Sequence, residues 1–172
     1  LVPVTIRRAG PNRVRGARAE GAGEAHTGTV PAAGDVVVRD SGQAMIEKAV
    51  DYAGQREQFG RLIGSFQAVK HMCAEMAARH EPCRSLVWYA AHAFDAVPKE
   101  ASLVACHAKS HTAEVHRFVA RTSTEVHGGM GFTDLLGLHY WFKRIGFDRQ
   151  VLGGPEAVRA EAAALQGWTK AA

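Results

Sequence analysis

The chain has 172 residues, 47% of them hydrophobic, which is enough for one full-sized core with little room for a second. No apolar run approaches the length of a membrane-crossing helix and the N-terminus carries no charged-then-apolar secretory pattern, so the expectation is a soluble, cytoplasmic protein without a membrane partner. The net charge of +4 comes mostly from arginines at one end rather than from a basic stripe along a helix, which argues against nucleic acid as a partner. Cys73, Cys83 and Cys106 are an odd set with no CxxC spacing, and each sits among apolar residues. They read as buried thiols in a reducing compartment.

Residues 1–38 contain no lysine, no aromatic side chain and no periodic apolar face, but many Arg, Ala, Gly and Pro. Such a segment cannot bury enough to offset its ordering entropy, and it reads as disordered or as a mistranslated N-terminal stretch. Helical signals begin near Ser41. Met45, Ala49 and Tyr52 are spaced by four and three, predicting a helix to about Arg56. After the "FGRLIG" link, Ser65 is placed to cap a second helix. Its seam runs Phe66, Val69, Cys73, Met76, His80, Cys83, Val87, Ala90 and Phe94.

Pro98 and Glu100 mark the start of a third helix. One of its faces carries Val104, Ala108, His111, Val115, Phe118, Thr122 and Val126, and it ends at the glycines of "EVHGGMGF", residues 125–132. A fourth helical stretch, "DLLGLHYWFKRIGF", is short and amphipathic. The tail follows with Gly154 as cap, Pro155 at the first helical position and Glu156 in the first turn, where it complements the helix dipole. Nowhere is strand-like alternation sustained. The predicted fold is all-α, an antiparallel up-and-down four-helix bundle over residues 39–172 with two long central helices.

Few residue patterns point to chemistry by themselves. His107 and His111 share a helix face at a spacing used by metal pairs, but the ExxH repeat of di-iron bundles is missing and Glu114 precedes His116 by two residues. No metal is expected there, and a helical metal-binding bundle stays as the third reading. There is no GxSxG, P-loop or strand-associated GxGxxG, so nucleophilic hydrolysis and nucleotide-triphosphatase chemistry lack support. His71 and Cys73, two apart, point to different helix faces and form no dyad. Arg56 and Arg61 bracket Phe59-Gly60 between two helices. An arginine there can grip a phosphate pair bidentately and Phe59 can offer a surface to a flat ring; a surface arginine with a stapling phenylalanine accounts for the pattern equally well. One glycine suffices to close a helix, so the further two in "HGGMG" belong either to a flexible turn or to a loop hugging a ligand.

Taken together, "YAGQREQFGRLIGSFQAVKHMCAEMA" at residues 52–77 and "HGGMGF" at 127–132 resemble the RxxFG signature and glycine-rich flavin loop of the acyl-CoA dehydrogenase family. The resemblance covers roughly residues 43–168 and includes only the C-terminal helical domain of three. It implies that Arg56 and Phe59 contact FAD held mainly by a neighbouring subunit, that Gly128 and Gly129 let backbone approach the dinucleotide, and that Gly131 and Phe132 lead into the next helix. Glu125 stands where family members often have glutamine, and a carboxylate, which can only accept, is a poorer neighbour for phosphate.

The implied chemistry is α,β-dehydrogenation of an acyl-CoA thioester, with a carboxylate base taking the α-proton, hydride passing to flavin, and electron-transfer flavoprotein commonly reoxidising it. In many members that base is a glutamate just before a glycine in the loop between the last two helices. Here the loop reads Gln150-Val151-Leu152-Gly153-Gly154-Pro155, with Gly153 at the expected position and Glu156 a poor substitute. Other members carry the base on the first helix of this domain, upstream of residue 43. In some hetero-oligomers one chain lacks it and a partner supplies it, and "LGLHYWFKRIGFDRQVLGGPEAVR" resembles such bacterial subfamilies. The expectation is therefore a C-terminal-domain fragment, inactive alone, of an FAD-dependent acyl-CoA dehydrogenase. The alternative is a non-catalytic partner subunit or assembly module of a homo- or hetero-oligomer formed through the bundle.

Overall fold

The computed structural model describes residues 32–168. Most of the 1–38 segment therefore lies outside the described residues, and the first helix begins within it. α1 spans Ala32–Ala53. Met45, Ile46, Ala49 and Ala53 are buried along it, a stripe that turns one side of the helix to the core. The helix ends before the predicted Arg56, at Gly54. The link that follows is a small hairpin, with β1 (Glu57–Gln58) antiparallel to β2 (Arg61–Leu62) and Gln58 opposite Arg61. Phe59 and Gly60 at its tip have φ of 55° and 73°, the paired positive values of a two-residue turn matched to strand twist.

A short 3-10 turn, Ile63–Ser65, leads into α2 (Gln67–Ala96). Ser65 does not cap α2 as predicted. Its hydroxyl donates to the Leu62 carbonyl at 2.7 Å, closing the 3-10 turn, and extended Phe66 takes the N-cap position without a side-chain bond. α3 (Pro98–His127) follows after Val97 alone, with Pro98 and Glu100 in its first turn as predicted. The two 30-residue helices fold back on each other, bringing Arg79 over the Phe118 ring at 4.1 Å and His80 against His116. A 3-10 segment (Gly128–Phe132), another (Asp134–Leu136), α4 (Leu138–Gln150) and α5 (Pro155–Leu165) complete the described chain.

The all-α class holds, and five α-helices are present among the described residues. α3 lies at the centre, in contact with α1, α2, α4 and α5. Eighteen of its 30 residues are buried, so it has no single apolar stripe. This explains why His111, placed by periodicity on the inner face, is exposed while Thr112 is fully buried. On α2 the seam drifts at its end, leaving Phe94 half exposed and Ala93 buried, because 3.6 residues per turn does not hold a strict alternation of three and four over many turns.

Polar ties cross this core. The Ser123 hydroxyl donates to the Met45 carbonyl at 2.9 Å, fixing α3 to α1. Buried Lys109 donates to the Asp148 carbonyl at 2.6 Å, while Arg144 grips the Asp148 carboxylate at 2.9 and 3.0 Å. At the centre His116 Nε2 lies 3.2 Å from His80 Nδ1. Gly42 of α1 lies directly over the His116 ring: a Cβ there would stand 2.6 Å from Nε2, so α1 reaches this distance only because residue 42 has no side chain.

Burial, and then the neighbouring His80, push the His116 imidazole down to about 3. The folded state keeps it neutral while the unfolded chain protonates it near its ordinary value of about 6.5. Its contribution is complete above that value and is lost as pH falls toward the folded one. Between about pH 6 and pH 4, His116→Gln is expected to flatten the fall of unfolding free energy by up to one proton, ~1.4 kcal/mol per pH unit, as read by urea titrations. Parallel curves for the two proteins would contradict the assignment.

Candidate functional site

The ends of α1 and α3 meet at one edge of the molecule. Between them lies a cavity of about 350 Å³ lined by Tyr52, Arg56 and Gln58 from one side and by His127, Gly128 and Gly129 from the other. The two sequence motifs, some seventy residues apart, thus form one site.

The walls are fixed by backbone and ring contacts. The Arg56 N–H donates to the Tyr52 carbonyl at 2.9 Å, and its carbonyl accepts from Ile63 N–H at 2.8 Å. Arg56 is exposed and has no carboxylate partner among the described residues, so its guanidinium is available to an anion. Opposite, buried His127 stacks on Tyr52 with ring centroids 4.6 Å apart. Its Nδ1 is 2.7 Å from the Ser123 carbonyl. A carbonyl only accepts, so Nδ1 carries a proton and donates this bond.

The glycines divide their tasks. Gly128 closes α3 with φ 57° and ψ −140°, a conformation open in practice to glycine alone. At Gly131 a Cβ would come within 2.7 Å of the Thr124 carbonyl oxygen, so this glycine is needed for close packing inside the chain. Gly129 is different. A Cβ there would meet nothing within 4 Å, and its φ is not positive, so neither conformation nor internal packing requires glycine at this position.

Other expected residues lie apart. Phe59, 93% exposed at the hairpin tip, does not line the cavity and meets Phe66 edge-on at 6.2 Å. Arg61 lies over the Phe66 ring at 3.9 Å. Glu125 lines a separate groove with Arg79, Arg117 and Arg121 and does not line this cavity. Gly153 has φ 100° and follows Leu152 at 59°, so any side chain at 153, a glutamate included, would be strained. Glu156 pairs with Arg149 at 3.0 Å. A hydrogen bond to its own backbone, and then Arg149, hold its carboxyl below the usual range, whereas a general base needs a value near working pH. His107 and His111 are exposed on α3. The three cysteines are free, and burial, followed by Glu161, pushes the Cys106 thiol up to about 11.

Tyr52, Gln58 and His127 went unrecognised in the sequence. Tyr52 falls on an apolar stripe, and His127 lies inside the glycine motif without a separate signal.

The chain belongs to the acyl-CoA dehydrogenase family: residues 40–166 match its C-terminal domain. Members of this family bind FAD. Among curated relatives, acyl-CoA dehydrogenase FadE34 of Mycobacterium tuberculosis is 38% identical over 110 residues, covering 63% of this chain and 16% of the relative. The caffeyl-CoA reductase-Etf complex subunit CarC of Acetobacterium woodii is 36% identical over 90 residues, 52% of this chain and 24% of the relative. The solved butyryl-CoA dehydrogenase of Megasphaera elsdenii shares the fold, with a TM-score of 0.74 at 22% identity over 78% of this chain and 35% of that one. The chain spans a quarter or less of the length of those two curated relatives.

The division among the glycines predicts opposite stability effects. Gly131→Ala is expected to lower unfolding free energy by about 1–3 kcal/mol through overpacking, whereas Gly129→Ala changes it by less than about 0.5 kcal/mol. Equal losses in chemical denaturation would contradict the division.

Proposed function

We propose that residues 39–172 form the flavin-contacting helical domain of an FAD-dependent acyl-CoA dehydrogenase and act within an oligomer in which other domains or chains hold most of the cofactor. The observation that carries this reading is Gly129: a bare backbone position on the cavity wall, required by nothing inside the chain, facing the cavity that an unpaired arginine also lines. That combination fits the diphosphate of a dinucleotide, which needs a cation and close access to backbone. FAD, when bound, supplies the acceptor for hydride leaving the β-carbon of an acyl-CoA thioester.

This chain's own part is binding and orientation. Arg56 offsets diphosphate charge, Gly128 sets the direction of the loop, Gly129 lets the polypeptide backbone approach the cofactor, and the Tyr52–His127 stack keeps the two helix ends together. Phe59, exposed at the hairpin tip, is available to a flavin ring or a neighbouring subunit. The proton acceptor is not at position 153, and Glu156 is held ionised in a surface pair, so the α-carbon base comes from another part of the assembly. Gly153 in its left-handed turn therefore also favours the second reading, a non-catalytic partner subunit whose mate supplies the base. An Etf-type electron acceptor is consistent with the relative described as part of an Etf complex. No helix among the described residues is long and apolar enough to cross a membrane.

Within the flavin-loaded assembly, Gly129→Val is expected to lower retained flavin about tenfold or more, equivalent to ~1.4 kcal/mol, with the helical circular dichroism unchanged. Flavin absorbance per protein after gel filtration reads the outcome. Undiminished flavin in the folded variant would contradict the assignment.

A further inference from the structure

Away from this cavity, α2 and α3 bring three buried side chains with metal-ligand chemistry to one point. His80 and Cys83 stand three apart on α2 and share a face, and His116 comes across from α3. Their exposures are 5%, 0% and 0%, and their donor atoms all lie within 4.8 Å of one another. The His116 Nε2 to His80 Nδ1 separation is 3.2 Å. Two nitrogens each ~2.0–2.1 Å from one tetrahedral ion stand roughly 3.4 Å apart, so the helices already hold the pair near the spacing that a shared ion imposes.

Two further observations concern the same ring. Gly42 of α1 lies over the face of the His116 ring, where a Cβ would stand 2.6 Å from Nε2, so no α1 side chain at that position presses on the ring. His116 Nδ1, fully buried, makes no hydrogen bond among the described residues, so the core meets only part of this ring's polar capacity.

We propose that His80, Cys83 and His116 form a binding site for a borderline-soft transition-metal ion, Zn²⁺ foremost, with a small anion such as chloride or hydroxide in the fourth position. Two imidazoles and a thiolate select Zn²⁺, Co²⁺ or Cu⁺ over Mg²⁺ and Ca²⁺, which prefer oxygen. On binding, Cys83 releases its proton to solvent, a metal–sulfur bond and two metal–nitrogen bonds form, and the thiolate with the anion neutralises the divalent charge inside the core. The ion would pin α2 to α3 midway along their shared length, independently of flavin. Neither His80 nor Cys83 is part of a CxxC or HExxH pattern, and His116 lies 36 residues from His80, so no local spacing announces the site.

Cobalt titration of the chelator-stripped 172-residue chain tests this. The expected result is one Co²⁺ per chain with a thiolate-to-cobalt charge-transfer band and tetrahedral d–d absorption, displaced by Zn²⁺, retained in Cys106→Ser and lost in Cys83→Ser. Because Cys83 lies in the core and its variant can unfold, X-ray absorption of the unsubstituted cobalt adduct provides a second reading, with one sulfur and two imidazole ligands expected. Absence of the charge-transfer band, its survival in Cys83→Ser, or an adduct without sulfur would overturn the proposal.

Discussion

A helix enclosed on nearly every side must keep its neighbours close while pairing most of the polar groups it carries, and α3 is that helix here. Alanines at 101, 105, 108, 113 and 120 let α1, α2, α4 and α5 approach. Three of its polar residues meet partners across the core: Ser123 bonds to Met45, Lys109 to Asp148, and His116 to His80. With its position fixed along its length, the last turn of α3 has no freedom to wander. His127 stacks on Tyr52, and the glycine loop leaves the helix at a set place beside the hairpin after α1. The site's geometry is thus inherited from the packing of a helix whose middle lies far from it.

The same enclosure accounts for what was legible in the sequence. Helix starts marked by Pro98 and Pro155 were read correctly, because proline at the first helical position acts locally. A one-face period works for a helix with one buried side, as on α1. It fails on α3, where periodicity selected exposed His111 and passed over Thr112. Ser65 was misread because an oxygen near a helix start can cap either the helix or the preceding turn, and only the backbone conformation of Phe66 decides between them. The hairpin was invisible since its strands are two residues each, too short for alternation to register.

At the site, Arg56, Gly128 and Gly129 could be picked out because arginine and glycine clusters are uncommon where helices end. Their convergence could not be derived from spacing, since it depends on how α1 and α3 pack. Glu125 looked like a fault beside the glycines; a helix rotates successive residues by about 100°, and Glu125 falls on the groove lined by Arg79 and Arg121 instead. The missing carboxylate at Gly153 is a different matter. Its left-handed backbone would strain any side chain at that position. On the proposed reading, binding and proton transfer are separated, with the cofactor edge on this chain and the base elsewhere.

The most direct measurement is a structure of the FAD-loaded assembly containing this chain. A diphosphate oxygen about 2.7–2.9 Å from the Arg56 guanidinium, with the dinucleotide in contact with the Gly129 backbone, is the predicted result. FAD bound elsewhere, with solvent filling the space between Arg56 and Gly129, would contradict it.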